Sequence, residues 1–176
     1  GDGDDQVRVS SNIYKVDRVY LEAGDDQVFV GRDYRSPAGF DNETGEADHF
    51  DGGAGSDWIA FSFGYWGDSV TYTLNTQNSS NFENIGGSTY DDTLTGDASG
   101  NIILGGKGND DIYGAAGDDT LYGGIGESCG SNNNLSNDKG WGVGLYNNHD
   151  YQGAGIDRLF GEAGNDTLYG QCLDDY

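Results

Sequence analysis

The sequence predicts an all-β fold, a right-handed parallel β-roll of short strands and glycine-rich turns. Residues 105–126 read GGKGNDDIYGAAGDDTLYGGIG, in which a nine-residue unit GGxGxDxUx, with U a large aliphatic residue, repeats in tandem. A triplet of Asp or Asn, any residue and an apolar residue then recurs at the same spacing over most of the chain. A short repeat of fixed length is the signature of a stacked, coil-like architecture.

Each unit divides into a six-residue turn and a three-residue strand, and its places are numbered here from one to nine. In the unit that begins at Gly105, glycine at places one, two and four supplies positive φ angles that a Cβ disfavours. Ile112, at place eight, is expected to point into the core, whereas Asp111 and Tyr113 point outward. Two units make one coil, so turns eighteen residues apart stack on the same side.

The triplets set the phase of the whole chain. They begin at Asp5; at Asp17 and Asp26; at Asp48 and Asp57; at Asp92, Asn101, Asp110 and Asp119; and at Asp157 and Asp166. Asp175 lies nine residues further on, at the C-terminal edge. This register predicts a single domain over residues 1–176, interrupted by insertions at about 31–44, 61–85 and 127–150.

The insertions are the places where partner-specific residues are expected, because binding residues concentrate in loops. Val70, Tyr72 and Leu74 alternate with polar residues, which predicts a strand inside the second insertion. The same insertion contains Trp66, which with its aromatic neighbours either forms a platform for a sugar or a partner or caps the end of a coil. The third insertion either presents a binding surface or is a long covered loop.

Composition indicates that folding depends on a cation. The 176 residues include 31 acidic and 8 basic side chains, a net charge of −23, and 32 glycines, with only 34% hydrophobic residues. Such a chain repels itself and has little apolar surface to bury. Carboxylate and carbonyl oxygens are the ligands of calcium, so we expect binding and folding to be one event.

The same charge argues against nucleic acid and anionic membranes as partners. No apolar run approaches the ~20 residues that span a bilayer. Cys129 and Cys172 either form a disulfide, as in an oxidising compartment, or remain free thiols. His49 and His149 form no HExxH motif, and the sequence contains no P-loop. No catalytic site is predicted.

Four segments resemble the repeats of the RTX family, the repeats-in-toxin or hemolysin-type calcium-binding β-rolls. They are GGAGSDWIA at 52, GGKGNDDIY at 105, GAAGDDTLY at 114 and GEAGNDTLY at 161. The resemblance implies several calcium ions. It also implies secretion from a bacterium in an unfolded state, usually by a type I exporter, and folding outside the cell.

The resemblance further implies the calcium ligands, with each ion lying between two turns of one side. The first turn gives the carbonyls of places two and four and its aspartate, and the next gives the carbonyls of places one and three and its aspartate. The implied sets are Ser88, Tyr90 and Asp92 with Gly105, Lys107 and Asp110; Asp97, Ser99 and Asn101 with Gly114, Ala116 and Asp119; Gly106, Gly108 and Asp110 with the turn Gly123 to Ser128; Gly153, Gly155 and Asp157 with Gly170, Cys172 and Asp175; and Gly1, Gly3 and Asp5 with Leu21, Ala23 and Asp26. Asp57 and Asp166 are further candidates, while Asn101 and Ser128 depart from the family's aspartate at place six.

The sequence therefore predicts a secreted, non-catalytic calcium-binding module that folds on calcium binding and rigidifies a larger extracellular protein. The first role that fits is a structural or adhesive element of a surface layer, matrix fibre or adhesin, assembled with copies of itself or other matrix components. The second is the carrier or secretion domain of a secreted enzyme or toxin. The third is a carbohydrate-binding module. Because the chain starts and stops inside repeats, it is expected to be part of a longer polypeptide.

Overall fold

A computed structural model describes residues 1–10, 18–31, 49–63, 69–76, 79–124 and 156–170. Within these ranges the chain forms short β-strands throughout, and no helix there has the length and apolarity to cross a bilayer. The strands are β1 (Gln6–Ser10), β2 (Arg18–Tyr20), β3 (Gln27–Gly31), β4 (His49–Asp51), β5 (Trp58–Phe63), β6 (Thr71–Thr73), β7 (Ser79–Ser80), β8 (Asn84–Gly86), β9 (Thr93–Thr95), β10 (Ile102–Gly106), β11 (Asp111–Tyr113), β12 (Thr120–Gly124), β13 (Arg158–Phe160) and β14 (Thr167–Tyr169).

The strands follow the phased triplets. All except β6, β7 and β8 begin directly after the Asp or Asn of a triplet. The apolar residue of the triplet is then the second residue of the strand and points into the core. In the inner coils its side chain is fully buried. The fully buried members are Val28, Phe50, Ile59, Leu94, Ile103, Ile112 and Leu121. The predicted all-β fold of repeated strands is confirmed.

The strands form three parallel sheets. The large sheet has the order β1-β3-β5-β8-β10-β12-β14, and the smaller sheets have the orders β13-β11-β9-β6 and β2-β4-β7. Successive strands alternate between the large sheet and one of the smaller ones, except that β6 and β7 both belong to smaller sheets. The chain therefore winds in coils, and the two smaller sheets meet in the coil that contains β6 and β7.

The core consists of ladders of equivalent residues from successive coils. In the large sheet Ile59 pairs with Ile85, Ile85 with Ile103, and Ile103 with Leu121. Complete burial of each such side chain stabilises the fold by about 1.5–3 kcal/mol. The ladder ends at Leu168, which pairs with Leu121 but keeps 46% of its surface exposed. Burial is therefore greatest in the middle of the described roll.

Residues 69–76 and 79–86 belong to the coil between the smaller sheets. Val70, Tyr72 and Leu74 are buried, in agreement with the strand predicted from their alternation. The Tyr72 hydroxyl lies 2.5 Å from the Ser79 Oγ, so its polar end is satisfied inside the core. The described part of the second predicted insertion therefore lies within the coils and contributes strands to the sheets. Most of the first insertion, all of the third, Trp66, His149, Cys129 and Cys172 lie outside the described residues.

Glycine has two different roles in the turns. At place four, Gly108 and Gly117 have φ angles of +111° and +116°. The glycines of place one have no positive φ, contrary to the expectation from sequence. They are needed because the backbones of neighbouring coils approach closely at this place. A Cβ on Gly105 would lie 2.3 Å from the carbonyl oxygen of Gly123.

Replacement of Gly117 by alanine is expected to lower the stability of the calcium-loaded protein by more than about 1 kcal/mol. The new Cβ would have a strained φ and would lie 2.4 Å from the Ser99 carbonyl oxygen. Gly170→Ala is the matched control, because nothing lies within 4 Å of its Cβ position. Thermal unfolding followed by circular dichroism measures both variants, and equal melting temperatures would contradict the stacking of the turns.

Candidate metal centres

Backbone hydrogen bonds hold the turns of successive coils against each other. The N–H of place three donates to the carbonyl oxygen of place two one coil earlier. Lys107 donates to Ser88 at 3.2 Å, and Ala116 donates to Asp97 at 3.1 Å. Because these bonds repeat from coil to coil, residues at the same place of same-side turns are brought into line.

A second ladder joins the carboxylates of place six to the backbone. In each rung, the Oδ1 of one aspartate accepts the N–H of the place-six residue one coil earlier. The donor and acceptor pairs are Asp5 and Asp26, Asp26 and Asp57, Asp92 and Asp110, Asp110 and Asp157, Asn101 and Asp119, and Asp119 and Asp166, at 2.7–3.0 Å. One oxygen of each accepting aspartate is thus oriented by the neighbouring coil.

In four of the accepting aspartates the other carboxylate oxygen has no such partner. The Oδ2 atoms of Asp26, Asp57, Asp110 and Asp119 are buried without a hydrogen bond. Burial raises the pKa of Asp57 to about 6 and that of Asp110 to about 8, although a backbone N–H opposes the shift in each case. Burial likewise raises the pKa of Asp119. A nearby cation would compensate these buried negative charges.

Backbone carbonyl oxygens lie beside the same carboxylates. A Cβ on Gly105 would lie 2.5 Å from the Oδ2 of Asp110, in addition to its contact with Gly123, and a Cβ on Gly87 would lie 2.1 Å from the carbonyl oxygen of Gly105. Glycine at place one therefore keeps open a space that oxygens of two coils line. Among the described residues, no three Asp, Glu, His or Cys side chains converge on one point. A cation in these turns would need carbonyl ligands.

Most of the turns predicted to face each other lie side by side. The Asp92 turn adjoins the Asp110 turn, the Asn101 turn adjoins the Asp119 turn, and Asp5 contacts Asp26. Asp57 and Asp166 extend two of these stacks. Gly153, Gly155, Cys172 and Asp175 lie outside the described residues, so the predicted pairing of Asp157 with Asp175 stays a prediction.

Ser128, predicted at place six of the turn that begins at Gly123, lies outside the described residues, and Asp157 makes the place-six contact with Asp110. Asp110 donates its N–H to Asp157 at 2.9 Å. A Cβ on Gly123 would lie 2.4 Å from the Oδ2 of Asp157, the same relation that Gly105 has to Asp110. Gly123 and Asp157 are therefore places one and six of a single turn. The nine-residue count from Gly123 leads to Ser128 because it does not allow for the insertion predicted at 127–150.

Glu83 is a place-six residue that the sequence analysis missed. Its Oε2 accepts the N–H of Asp57 at 2.8 Å, so the longer side chain takes the part of an aspartate in the ladder. The signal was present, because Glu83 lies nine residues before Asp92 and eighteen before Asn101. It was overlooked because the preceding residues are not a glycine turn and the acid is not Asp.

The RTX calcium-binding nonapeptide repeat matches the chain in four copies, at residues 44–65, 83–110, 95–127 and 151–171. Together these matches cover half of the 176 residues. The chain belongs to the RTX calcium-binding repeat family. RTX nonapeptide repeats bind several calcium ions, so calcium is the cation of this chain. A comparison with curated proteins finds no match.

The chemistry of these RTX turns fits calcium. Calcium takes six to eight oxygen ligands at about 2.3–2.6 Å, from carboxylates and carbonyls alike. The turns offer oxygen atoms of both kinds. The Oδ2 atoms of Asp26, Asp57, Asp110 and Asp119 are carboxylate oxygens that lack a hydrogen-bond partner and are free to bind a cation.

Without calcium, the folded RTX chain is expected to be more stable at pH 5 than at pH 8. The raised pKa values of about 6 for Asp57 and about 8 for Asp110 mean that the folded state holds protons that the unfolded chain releases near pH 4. Stability is therefore lost as the pH rises from about 4 through these values. Circular dichroism in calcium-free buffer measures this loss.

Asp110→Asn should weaken the part of the pH dependence between pH 6 and 8, because it removes the group with the higher pKa. Asp111→Asn removes the same formal charge from the outer face, where Asp111 pairs with Arg158, and is the matched control. Indistinguishable pH profiles for the two variants would contradict the assignment of the titration to the turns.

Proposed function

We propose that this chain is a secreted, non-catalytic module whose calcium ions lie between same-side turns of a right-handed roll. The buried Oδ2 atoms without partners carry the proposal, because those of Asp110 and Asp119 lie beside carbonyl oxygens of the adjoining coil. In one such site the ligands are the carbonyls of Ser88, Tyr90, Gly105 and Lys107 with the carboxylates of Asp92 and Asp110. The sets around Asn101 with Asp119 and around Asp5 with Asp26 follow the same rule, and Asp110 with Asp157 replaces the set that included Ser128.

Calcium in these sites would couple binding to folding. A net charge of −23 expands the chain, and the turns gather its carboxylates in stacks. These oxygens are arranged to bind calcium only in the coiled state, so calcium binding stabilises the folded state by mass action. Extracellular calcium modules commonly work at about 0.1–1 mM calcium. Most of a chain of this kind would stay uncoiled inside the cell and would complete its coils after export.

Asp110→Asn is expected to raise the calcium concentration needed for folding by at least about tenfold, whereas Asp111→Asn should leave it within about twofold. Asp110 has a buried oxygen without a partner, while Asp111 lies outside the turn. A calcium titration followed by circular dichroism measures both, beginning from an EGTA-treated chain that has lost most of its β signal. A wild-type β signal unchanged by EGTA, or equal midpoints for the variants, would contradict the proposal.

The role favoured for the module is a structural or adhesive element of an extracellular assembly. Outward aromatic rings stack between coils, Tyr113 on Phe160 at 4.8 Å and Tyr122 on Tyr169 at 4.7 Å between ring centroids. Phe160 and Tyr169 remain 42% and 49% exposed and lie on different sheets. Both outer faces therefore offer aromatic surface for contacts with copies of the chain or with other matrix components.

The alternatives are the carrier domain of a secreted enzyme or toxin and a carbohydrate-binding module. A carrier needs only the calcium-coupled coils. A sugar module could use the same exposed rings of Phe160 and Tyr169, since sugar rings stack on aromatic faces.

Electron microscopy distinguishes these roles. Purified chain is expected to form extended assemblies in calcium and to lose them in EGTA, and Tyr169→Ser should reduce assembly because it removes exposed aromatic surface. Thr167→Ser, on the same strand, is the control for a change that keeps the rings. Single particles in calcium would favour the carrier role. Binding to a sugar array without assembly would favour the carbohydrate module.

A further inference from the structure

The coil of Glu83 is joined to the next coil by an amide instead of a carboxylate. Asn101 replaces the aspartate of place six, and its Oδ1 accepts the N–H of Asp97 at 2.8 Å. Its Nδ2 must therefore face the preceding coil, where it donates to the Glu83 carbonyl oxygen at 2.9 Å. In the other coils, the aspartate of place six accepts an N–H from the preceding coil. Asn101 instead donates an N–H to the preceding coil, so the direction of the hydrogen bond is reversed here.

A second amide enters the same gap from the coil between the smaller sheets. Asn75 accepts the N–H of Phe82 at 2.9 Å through Oδ1, which again determines the position of its NH₂ group. That group donates to the Phe82 carbonyl oxygen at 3.0 Å and to the Asp97 Oδ2 at 2.8 Å. Asn75 has a φ of +55°, a left-handed conformation that asparagine tolerates better than most residues.

The carboxylate of Asp97 is consequently satisfied by N–H groups. Its Oδ1 accepts the Ser99 N–H at 2.8 Å and lies 3.3 Å from the Nδ2 of Asn101, while its Oδ2 accepts from Asn75. This is the opposite of the environment of Asp110, whose Oδ2 has no donor. A cation placed here would face the positive ends of amide N–H groups.

Asn84 makes a matching connection on the large sheet. Its Oδ1 accepts the N–H of Ile102 at 3.1 Å, and its Nδ2 donates to the Asp57 carbonyl oxygen at 3.2 Å and the Ser56 Oγ at 3.1 Å. One neutral side chain thus bonds the coils on both sides of β8. The three amides of Asn75, Asn84 and Asn101 are called the amide seam below.

We propose that the gap between the Glu83 turn and the 96–101 turn takes no calcium, and that the amide seam holds the central coils together without metal. The proposal rests on the calcium sites proposed for the other turns. The core is well filled at this point, since Tyr72, Leu74, Phe82 and Ile85 are almost fully buried around the seam. Neutral hydrogen bonds and apolar burial do not depend on calcium, so β6, β8, β9 and β10 form a nucleus that persists when calcium is removed.

Hydrogen–deuterium exchange of the whole chain in EGTA and in calcium tests the seam. In EGTA, backbone amides of β8 and β10 are expected to exchange at least about tenfold more slowly than those of β11, β13 and β14, which should approach the rate of an unfolded chain. In calcium, all of these strands should be protected.

Two outcomes contradict the proposal in different ways. If a chain that refolds on adding calcium loses protection in β8 and β10 together with all other strands, the seam is overturned and the calcium sites stand. If every strand keeps its protection in EGTA, calcium-coupled folding is overturned, and the seam has no distinct role.

Asn101→Ala is the variant that tests the residue. It should abolish the protection of β8 and β10 in EGTA, because the rung to Glu83 is lost, and Asn75→Ala should reduce it. Asn109→Ala is the matched control, since Asn109 also donates an amide N–H across a gap, to Asp91 at 3.2 Å, but lies exposed at place five. Equal effects of Asn101→Ala and Asn109→Ala would overturn the assignment.

Discussion

The crowding of oxygen atoms in the stacked turns is the constraint on which the rest of this structure depends. Glycine at place one lets neighbouring backbones approach so closely that a Cβ on Gly105 would overlap oxygens of two coils. The ladder of N–H groups then orients one carboxylate oxygen of Asp57 and of Asp110, and leaves the other oxygen of each buried without a hydrogen bond. A buried anion without a partner is costly. Calcium at the proposed sites would remove that cost, which would explain how a chain with only 34% hydrophobic residues can fold.

The coils are connected by two kinds of side-chain rung that differ in charge. Carboxylate rungs such as Asp92 to Asp110 are oriented by one N–H and need a cation for their second oxygen. The rung from Asn101 to Glu83 is neutral and complete by itself. Neutral hydrogen bonds contribute only about 0.5–1.5 kcal/mol each, but they contribute this whatever the calcium concentration. The position of the amides therefore determines which part of the roll is independent of the metal.

The sequence was sufficient for the elements that are set locally. A nine-residue count predicts where β3, β9 and β11 begin, because the glycine turn and the inward apolar residue both lie within one unit. The count could not predict which residue takes place six after an insertion. Asp157 contacts Asp110 because β11 and β13 pair in the sheet, and the number of residues between them does not determine this pairing. Glu83 was missed for a related reason: its role follows from the neighbouring coil and not from its own turn.

A roll of this kind is nearly one-dimensional, because each coil contacts only the coils beside it. A calcium ion in one gap consequently stabilises its two coils directly and distant coils only through a continuous run of formed neighbours. If the metal-free seam lay at one end of the roll, the folding of the far end would depend on every coil between the two ends. The seam of Asn84 and Asn101 lies between the Asp57 turn on one side and the Asp119 turn on the other. Ordered coils are then available on both sides, so calcium can extend the roll in two directions from one nucleus.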